Sequence, residues 1–151
     1  MNDLISIHKP DGLSAELLYS ILKLRAEVFI VEQRSCYPDI DGRDLDADTV
    51  HLVAAEGGKV LCTVRIMEIA SGTPRIGRVA TAAEARGRGL AGELMQRAVA
   101  LCAPEAKIQL SAQTQLEGWY GKFGFLRSGE DYDDDGIMHL PMTRAGQRTS
   151  A

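Results

Sequence analysis

Aromatic residues make up only 5% of the chain, with a single tryptophan, and cysteine occurs three times, at Cys36, Cys62 and Cys102. An odd, widely spaced trio does not form a disulfide framework and reads as the reduced thiols of a cytoplasmic protein. No apolar run approaches the ~18 residues of a membrane span, and the N-terminal stretch alternates apolar and polar positions without a signal-peptide core. A basic excess is also missing. Lys+Arg number 17 against 21 Asp+Glu, a net charge of -4, which excludes general attraction to nucleic acid because that binding rests on neutralising phosphates. The three histidines, at 8, 51 and 139, are too far apart for a metal cluster. The acid run around Asp39 half-resembles a calcium loop, but Tyr37 stands at its first ligand position and no glutamate at its last. Neither a Gly-Lys-Ser/Thr phosphate loop nor a Gly-x-Ser-x-Gly elbow is present.

What remains is an ordinary globular composition, 45% hydrophobic and 25% charged over 151 residues. That length is enough for one real core and too short for two comfortable domains. The charge is uneven. Asp39–Asp48 and Glu130–Asp135 hold five acids each, whereas Arg75, Arg78, Arg86, Arg88 and Arg97 crowd one stretch. This pattern suggests an anionic ligand at the basic island and a cationic one near the acids, against the alternative that the acid runs are solvated loops.

Ser14 can cap a helix whose apolar stripe is Leu17, Ile21, Leu24 and Val28, running to about Phe29. Gln33 to Thr49 has no period and reads as loop. Strands are expected at Leu4–Ile7, Val50–Glu56, Val60–Glu68 and Ile76–Thr81, with Gly57-Gly58 as a hairpin turn. A helix follows Gly89 with Leu90, Leu94, Ala98, Leu101 and Cys102 on one face, stopping near Pro104. Lys107–Ala112 is a buried-type strand and Leu116–Phe123 a short helix. Phe125–Ser128 and Gly136–Met142 close the sheet, with Glu130–Asp135 as the turn between them. The expected fold is α/β, an α+β mixed sheet with helices on its faces, in a single domain over residues 1–144 with a fraying polar tail at 145–151.

The strongest chemical signal is Arg86-Gly87-Arg88-Gly89-Leu90-Ala91, between a strand and a helix. Two glycines let the backbone approach a ligand, and the helix start supplies unpaired N–H groups for a phosphate or pyrophosphate. The plain alternative is a glycine turn before a helix. This loop, following Ile76–Thr81, resembles the acetyl-CoA pyrophosphate loop of the GCN5-related N-acetyltransferase (GNAT) family, read as R-x-x-G-x-A. Trp119-Tyr120-Gly121-Lys122-Phe123-Gly124-Phe125 resembles that family's aromatic-Tyr-x-x-x-Gly-Phe segment. The stretch from Leu24 to Gln33, continuing through Tyr37, Asp39, Asp41, Gly42 and Asp44 to His51-Leu52, is similar to the ElaA-like subgroup, as are Ala112-Gln113 and Asp135-Gly136-Ile137 with His139. Together the blocks cover about Leu17 to Met142.

The resemblance implies a predominantly antiparallel GNAT-type sheet with a splayed parallel pair, Ile76–Thr81 beside Lys107–Ala112, and helices on both faces. It implies that Val79, Ala80 and Thr81 line the pantetheine arm of acetyl-CoA and that Arg86, Gly87, Arg88, Gly89, Leu90 and Ala91 hold its pyrophosphate. Gln113 or Gln115 would contact the cofactor. Tyr120 would donate to the departing thiolate, although a phenol near 10 is a weaker acid than a thiol near 8.5. Amine attack on a thioester needs a neutral nucleophile and a protonated leaving group. Glu32 ranks first as a base, and Gln33, Asp41, His51 and His139 are candidates for substrate binding. The expected activity is acetyl transfer to a primary amine, on a small molecule or a protein, by a monomer or homodimer. The competing readings are a non-catalytic CoA-binding or protein-interaction module and a nucleotide-phosphate binder. Acid loops lining the mouth would draw a cationic amine.

Overall fold

Ser14 starts the first helix as its side chain requires, its hydroxyl accepting the Leu17 N–H at 3.1 Å. Helix α1 (Ala15–Arg25) buries Ile21 and Leu24. In the computed structural model, which describes residues 4–147, regular α geometry stops at Arg25, short of Phe29. Residues Ala26–Glu32 continue in wide π turns, closed by the Gln33 N–H on the Val28 carbonyl at 3.2 Å. The widened turn shifts the helical face by a residue, a device common near functional sites. It keeps Val28 in the core while Phe29 and Gln33 reach a cleft.

Among the described residues eight strands make one sheet: β1 (Ile5–His8), β2 (Val50–Glu56), β3 (Lys59–Met67), β4 (Arg75–Thr81), β5 (Ile108–Gln113), β6 (Leu126–Arg127), β7 (Tyr132–Asp134) and β8 (Ile137–Arg144). Their order is β1-β2-β3-β4-β5-β8-β6, with β7 also on β8. Every position of Val50–Ala54 and Val60–Ile66 is buried, so both faces of these central strands are covered. Helix α2 (Leu90–Leu101) turns Leu90, Leu94, Met95 and Ala98 inward. Leu101, expected on that face, lies at the surface, with Met95 inward in its place. Helix α3 (Glu117–Gly121) is shorter than the predicted Leu116–Phe123. The acid stretch expected to be a turn is partly strand: β7 and β8 form a hairpin, and the turn narrows to Asp135-Gly136, both at positive φ. The tail is held as far as Gln147, whose N–H donates to the Pro104 carbonyl at 2.8 Å. Residues 148–151 of the expected tail lie outside the described residues.

The parallel pair is the exception in an otherwise antiparallel sheet, because α2 crosses over between β4 and β5. Its strands meet at one end only, where Arg75 pairs with Gln109 and the Gln109 N–H donates to the Pro74 carbonyl at 2.9 Å. Beyond that point β4 follows β3 and β5 follows β8, leaving a wedge. A bulge helps to open it. Arg65 pairs with Gly77 and Thr63 with Ala80, so Val64 faces two residues, and Arg78 takes φ +52°.

Candidate active site

The wedge exposes the free edge of β4 over Gly77–Thr81, a row of main-chain groups not engaged by β5. At its far end the chain turns through Gly87 (φ +84°) and Gly89 (φ +76°) into α2. Both glycines need the left-handed conformation, and among the described residues neither has a neighbour within 4 Å of where a side chain would begin. The first intrahelical donor is Glu93, on the Gly89 carbonyl at 3.1 Å. The N–H groups of Leu90, Ala91 and Gly92 therefore point out of the helix start, at its positive end. The cradle is open, backbone-built and of the right polarity for a pyrophosphate.

The basic island supplies less free charge than its sequence suggests. Arg86 pairs with Glu32 at 2.6 Å, Arg88 with Glu56 at 3.4 Å, Arg97 with Glu93 at 3.4 Å, and Arg78 with Asp39 at 3.0 Å. An anion at the cradle would meet chiefly backbone donors.

On the other side of the wedge, the loop after the π turn forms a wall of a cleft lined by Phe29, Gln33, Ser35, Tyr37, Arg78, Val79, Gln113, Tyr120 and His139, among others. Five of the residues read from the sequence as catalytic, cofactor-binding or substrate-binding thus meet there: Gln33, Val79, Gln113, Tyr120 and His139. Gln113 is the glutamine on the wall. It donates to the Gln33 amide oxygen at 3.1 Å and accepts from Gln115 at 2.8 Å, so Gln115 braces it. Tyr120 is 7% exposed, and its ring meets Trp119 edge-on at 4.9 Å. Burial pushes its phenol up to about 12. Its hydroxyl has no hydrogen-bond partner among the described residues and is not sealed from the cleft.

Glu32, Asp41 and His51 do not line the cleft. Glu32 sits on the outer surface, and the hydrogen bond from Arg86 holds its carboxyl below the usual range. His51 is fully buried, with Nε2 donating to the Asp44 carbonyl at 2.9 Å and Nδ1 sealed without a partner among the described residues. Burial lowers its pKa, outweighing the Asp44 contact, and so keeps it neutral. Asp41 belongs to an internal ion network. Arg25 pairs with Asp39 at 3.1 Å and Asp44 at 2.6 Å; Arg65 pairs with Asp41 at 2.8 Å and Asp44 at 3.0 Å; Arg78 pairs with Asp39 and Asp41. Three arginines face three aspartates, and Arg25 and Arg65 are almost wholly buried. Burial favours the neutral form of Asp41 and Asp44, but the guanidinium hydrogen bonds and charges outweigh it and hold both carboxyls well below the usual range. The run Asp39–Asp48 is thus no free acid surface for drawing a cation, because its three inner carboxylates are consumed by arginines. Two signals of this network stand in the sequence: Arg25 interrupts the apolar face between Ile21 and Val28, and Arg65 interrupts the apolar strand Val60–Met67.

Comparison with known proteins agrees with this geometry. The acetyltransferase (GNAT) domain profile matches residues 12–145. A UPF0039 protein of Mycobacterium tuberculosis is 44% identical over 143 residues, covering 89% of this chain and 88% of its own. Protein ElaA of Escherichia coli is 36% identical over 137 residues, covering 87% and 90%. The crystal structure of E. coli ElaA superposes with a TM-score of 0.87 at 34% identity, covering 93% of this chain and 98% of that one. That of an acyl-CoA N-acyltransferase from Pseudomonas aeruginosa gives 0.86 at 38% identity, with the same coverage.

Proposed function

The chain belongs to the GNAT acetyltransferase family, in its ElaA-like branch, and we propose that it transfers the acetyl group of acetyl-CoA to a primary amine by direct attack on the thioester. The observation that carries this reading is the one-ended pairing of β4 and β5, which opens a wedge between a glycine cradle and a buried tyrosine. The N–H groups of Gly87 to Ala91 hold the pyrophosphate. The free edge of Val79, Ala80 and Thr81 binds the pantetheine amides as an added strand would. The thioester then lies near Tyr120, and the amine enters past Gln33 and Gln113.

Tyr120 acts as a hydrogen-bond donor to the leaving sulfur and keeps its own proton. With its phenol at about 12, complete transfer to a thiolate near 8.5 would be uphill by roughly 5 kcal/mol. Arg86 and Glu32 fasten the end of the π turn to the cradle, since Arg86 also donates to the Thr81 carbonyl at 3.3 Å. Cys36, Cys62 and Cys102 are unpaired, and among the described residues no helix is long and apolar enough to cross a membrane; both support a cytoplasmic setting. Thiol release from acetyl-CoA against a panel of small amines, peptide N-termini and lysine peptides tests the reading, alongside calorimetry with CoA. Acyl-chain choice is read in the same assay by offering longer acyl-CoAs. CoA binding without thiol release for any amine would leave a non-catalytic CoA-binding module instead.

A further inference from the structure

Resting on that reading, we propose that His139 is the general base, accepting the acceptor amine's proton on Nε2. Its Nδ1 lies 2.8 Å from the Ile137 carbonyl, an atom that can only accept, so Nδ1 carries the ring hydrogen. In the neutral imidazole Nε2 then presents a lone pair, and that nitrogen meets no partner among the described residues. The ring is held by stacking on Tyr132, with centroids 6.1 Å apart and planes 29° from parallel. A fixed tautomer and a fixed plane are what a proton acceptor needs before substrate arrives.

Position supports the same assignment. His139 pairs in register with Gln113, the last residue of β5, and both line the cleft with Tyr120. Tyr132 on β7 faces the ring by stacking, and besides Tyr120 the titratable and charged groups on that cleft are Asp134 on β7, Tyr37 in the loop, Arg65 on β3, and Arg75 and Arg78 on β4. The arginines are donors only. Tyr37 is pushed above its ordinary pKa by burial and is bonded to Asp39. Asp134 is a carboxylate at the turn end of the β7–β8 hairpin, where it can attract the amine. Glu32, Asp41 and His51 are respectively ion-paired outside, locked in the network and sealed.

The step balances as follows. The amine lone pair forms the N–C bond to the acyl carbon while one N–H proton passes to Nε2. The C–S bond breaks with its electrons on sulfur, which Tyr120 steadies by a hydrogen bond. The imidazolium proton returns through solvent to the thiolate, giving amide and free thiol.

The test uses the full chain with acetyl-CoA and the best amine of the panel. His139→Gln should lower kcat/KM about 100-fold and leave CoA affinity unchanged by calorimetry. It should also abolish the imidazole limb of the pH profile, leaving only the ionisation of the amine itself. Added imidazole should restore part of the activity of His139→Ala, which a merely structural role would not allow. Long-range proton–nitrogen spectra of the wild type should show the Nδ1–H tautomer. Turnover by His139→Gln within threefold of wild type, with the limb retained, overturns the assignment alone. A wild type that binds CoA but acetylates no amine overturns the transferase reading, and this one with it.

Discussion

The two sides of the wedge are built from different materials. The cradle side is backbone: two glycines in left-handed conformation and three helix N–H groups, all within six consecutive residues. The loop side is side chain: Arg25, Asp39, Asp41, Asp44, Arg65 and Arg78, gathered from a helix, a loop and two strands. A backbone site needs little more than the right dihedrals, so it tolerates changes in the residues around it. A network of buried charges needs every member, because one orphaned ion in the interior has no water to turn to.

The largest effect that should separate the two sides is on stability. Asp44→Ala strips Arg25 and Arg65 of a shared partner and is expected to cost about 3–5 kcal/mol, read from urea midpoints; a loss under 1 kcal/mol would make the network a surface feature. The same pairs give a pH signature. The folded carboxyls of Asp41 and Asp44 lie below their unfolded value near 3.9, so their contribution is complete above that value. It is lost as pH falls below it toward the folded values. Acid titration of the wild type should therefore unfold the loop side from about pH 4 downwards, and Asp44→Ala should flatten that transition.

On the cradle side, Gly89→Val places a β-branched residue at φ +76°. It should weaken CoA binding more than tenfold in calorimetry, with about 1 kcal/mol or more of strain in the fold. Equal affinity would mean the cradle is not the anion site. Tyr120→Phe removes a hydroxyl that has no partner among the described residues. It should lower kcat about tenfold, the worth of one hydrogen bond to a charged atom, with unchanged CoA affinity and Tm. The smallest effect is expected at the exposed tie between the two sides. Glu32→Gln breaks a pair about half exposed and should shift stability by less than ~1 kcal/mol and turnover by less than threefold.

The same contrast governs how much was legible in the chain. The cradle could be read from Gly87, Gly89 and the stripe of α2, because dihedral needs and helix starts are local. The parallel pairing of β4 and β5 followed from the crossover, and Ser14 and the Gly57-Gly58 turn fell where expected. The loop side was misread in charge, since Asp39, Asp41 and Asp44 look like free acids until Arg25, Arg65 and Arg78 arrive from as far as 39 residues away. The end of α1 was misplaced because π turns keep an apolar rhythm that a period of 3.6 cannot distinguish over so few residues. His51 and His139 carry similar sequence surroundings, and only their neighbours in space part them: the Asp44 carbonyl and the sheet around a sealed ring, the Ile137 carbonyl and Tyr132 beside one that lines the cleft.

The buried charge network also bears on when the molecule acquires its cleft. Its contacts join residues 14 to 39 apart, and Arg65 and Arg78 can join it only once strands β3 and β4 are in place. Such contacts belong after the folding barrier, and losing one speeds the exit from the native basin more than it slows entry. A chevron of Asp44→Ala should show the unfolding limb raised and the folding limb almost unmoved. These six charges then determine how long an assembled cleft persists, while the speed of its assembly is left to the strands beneath them.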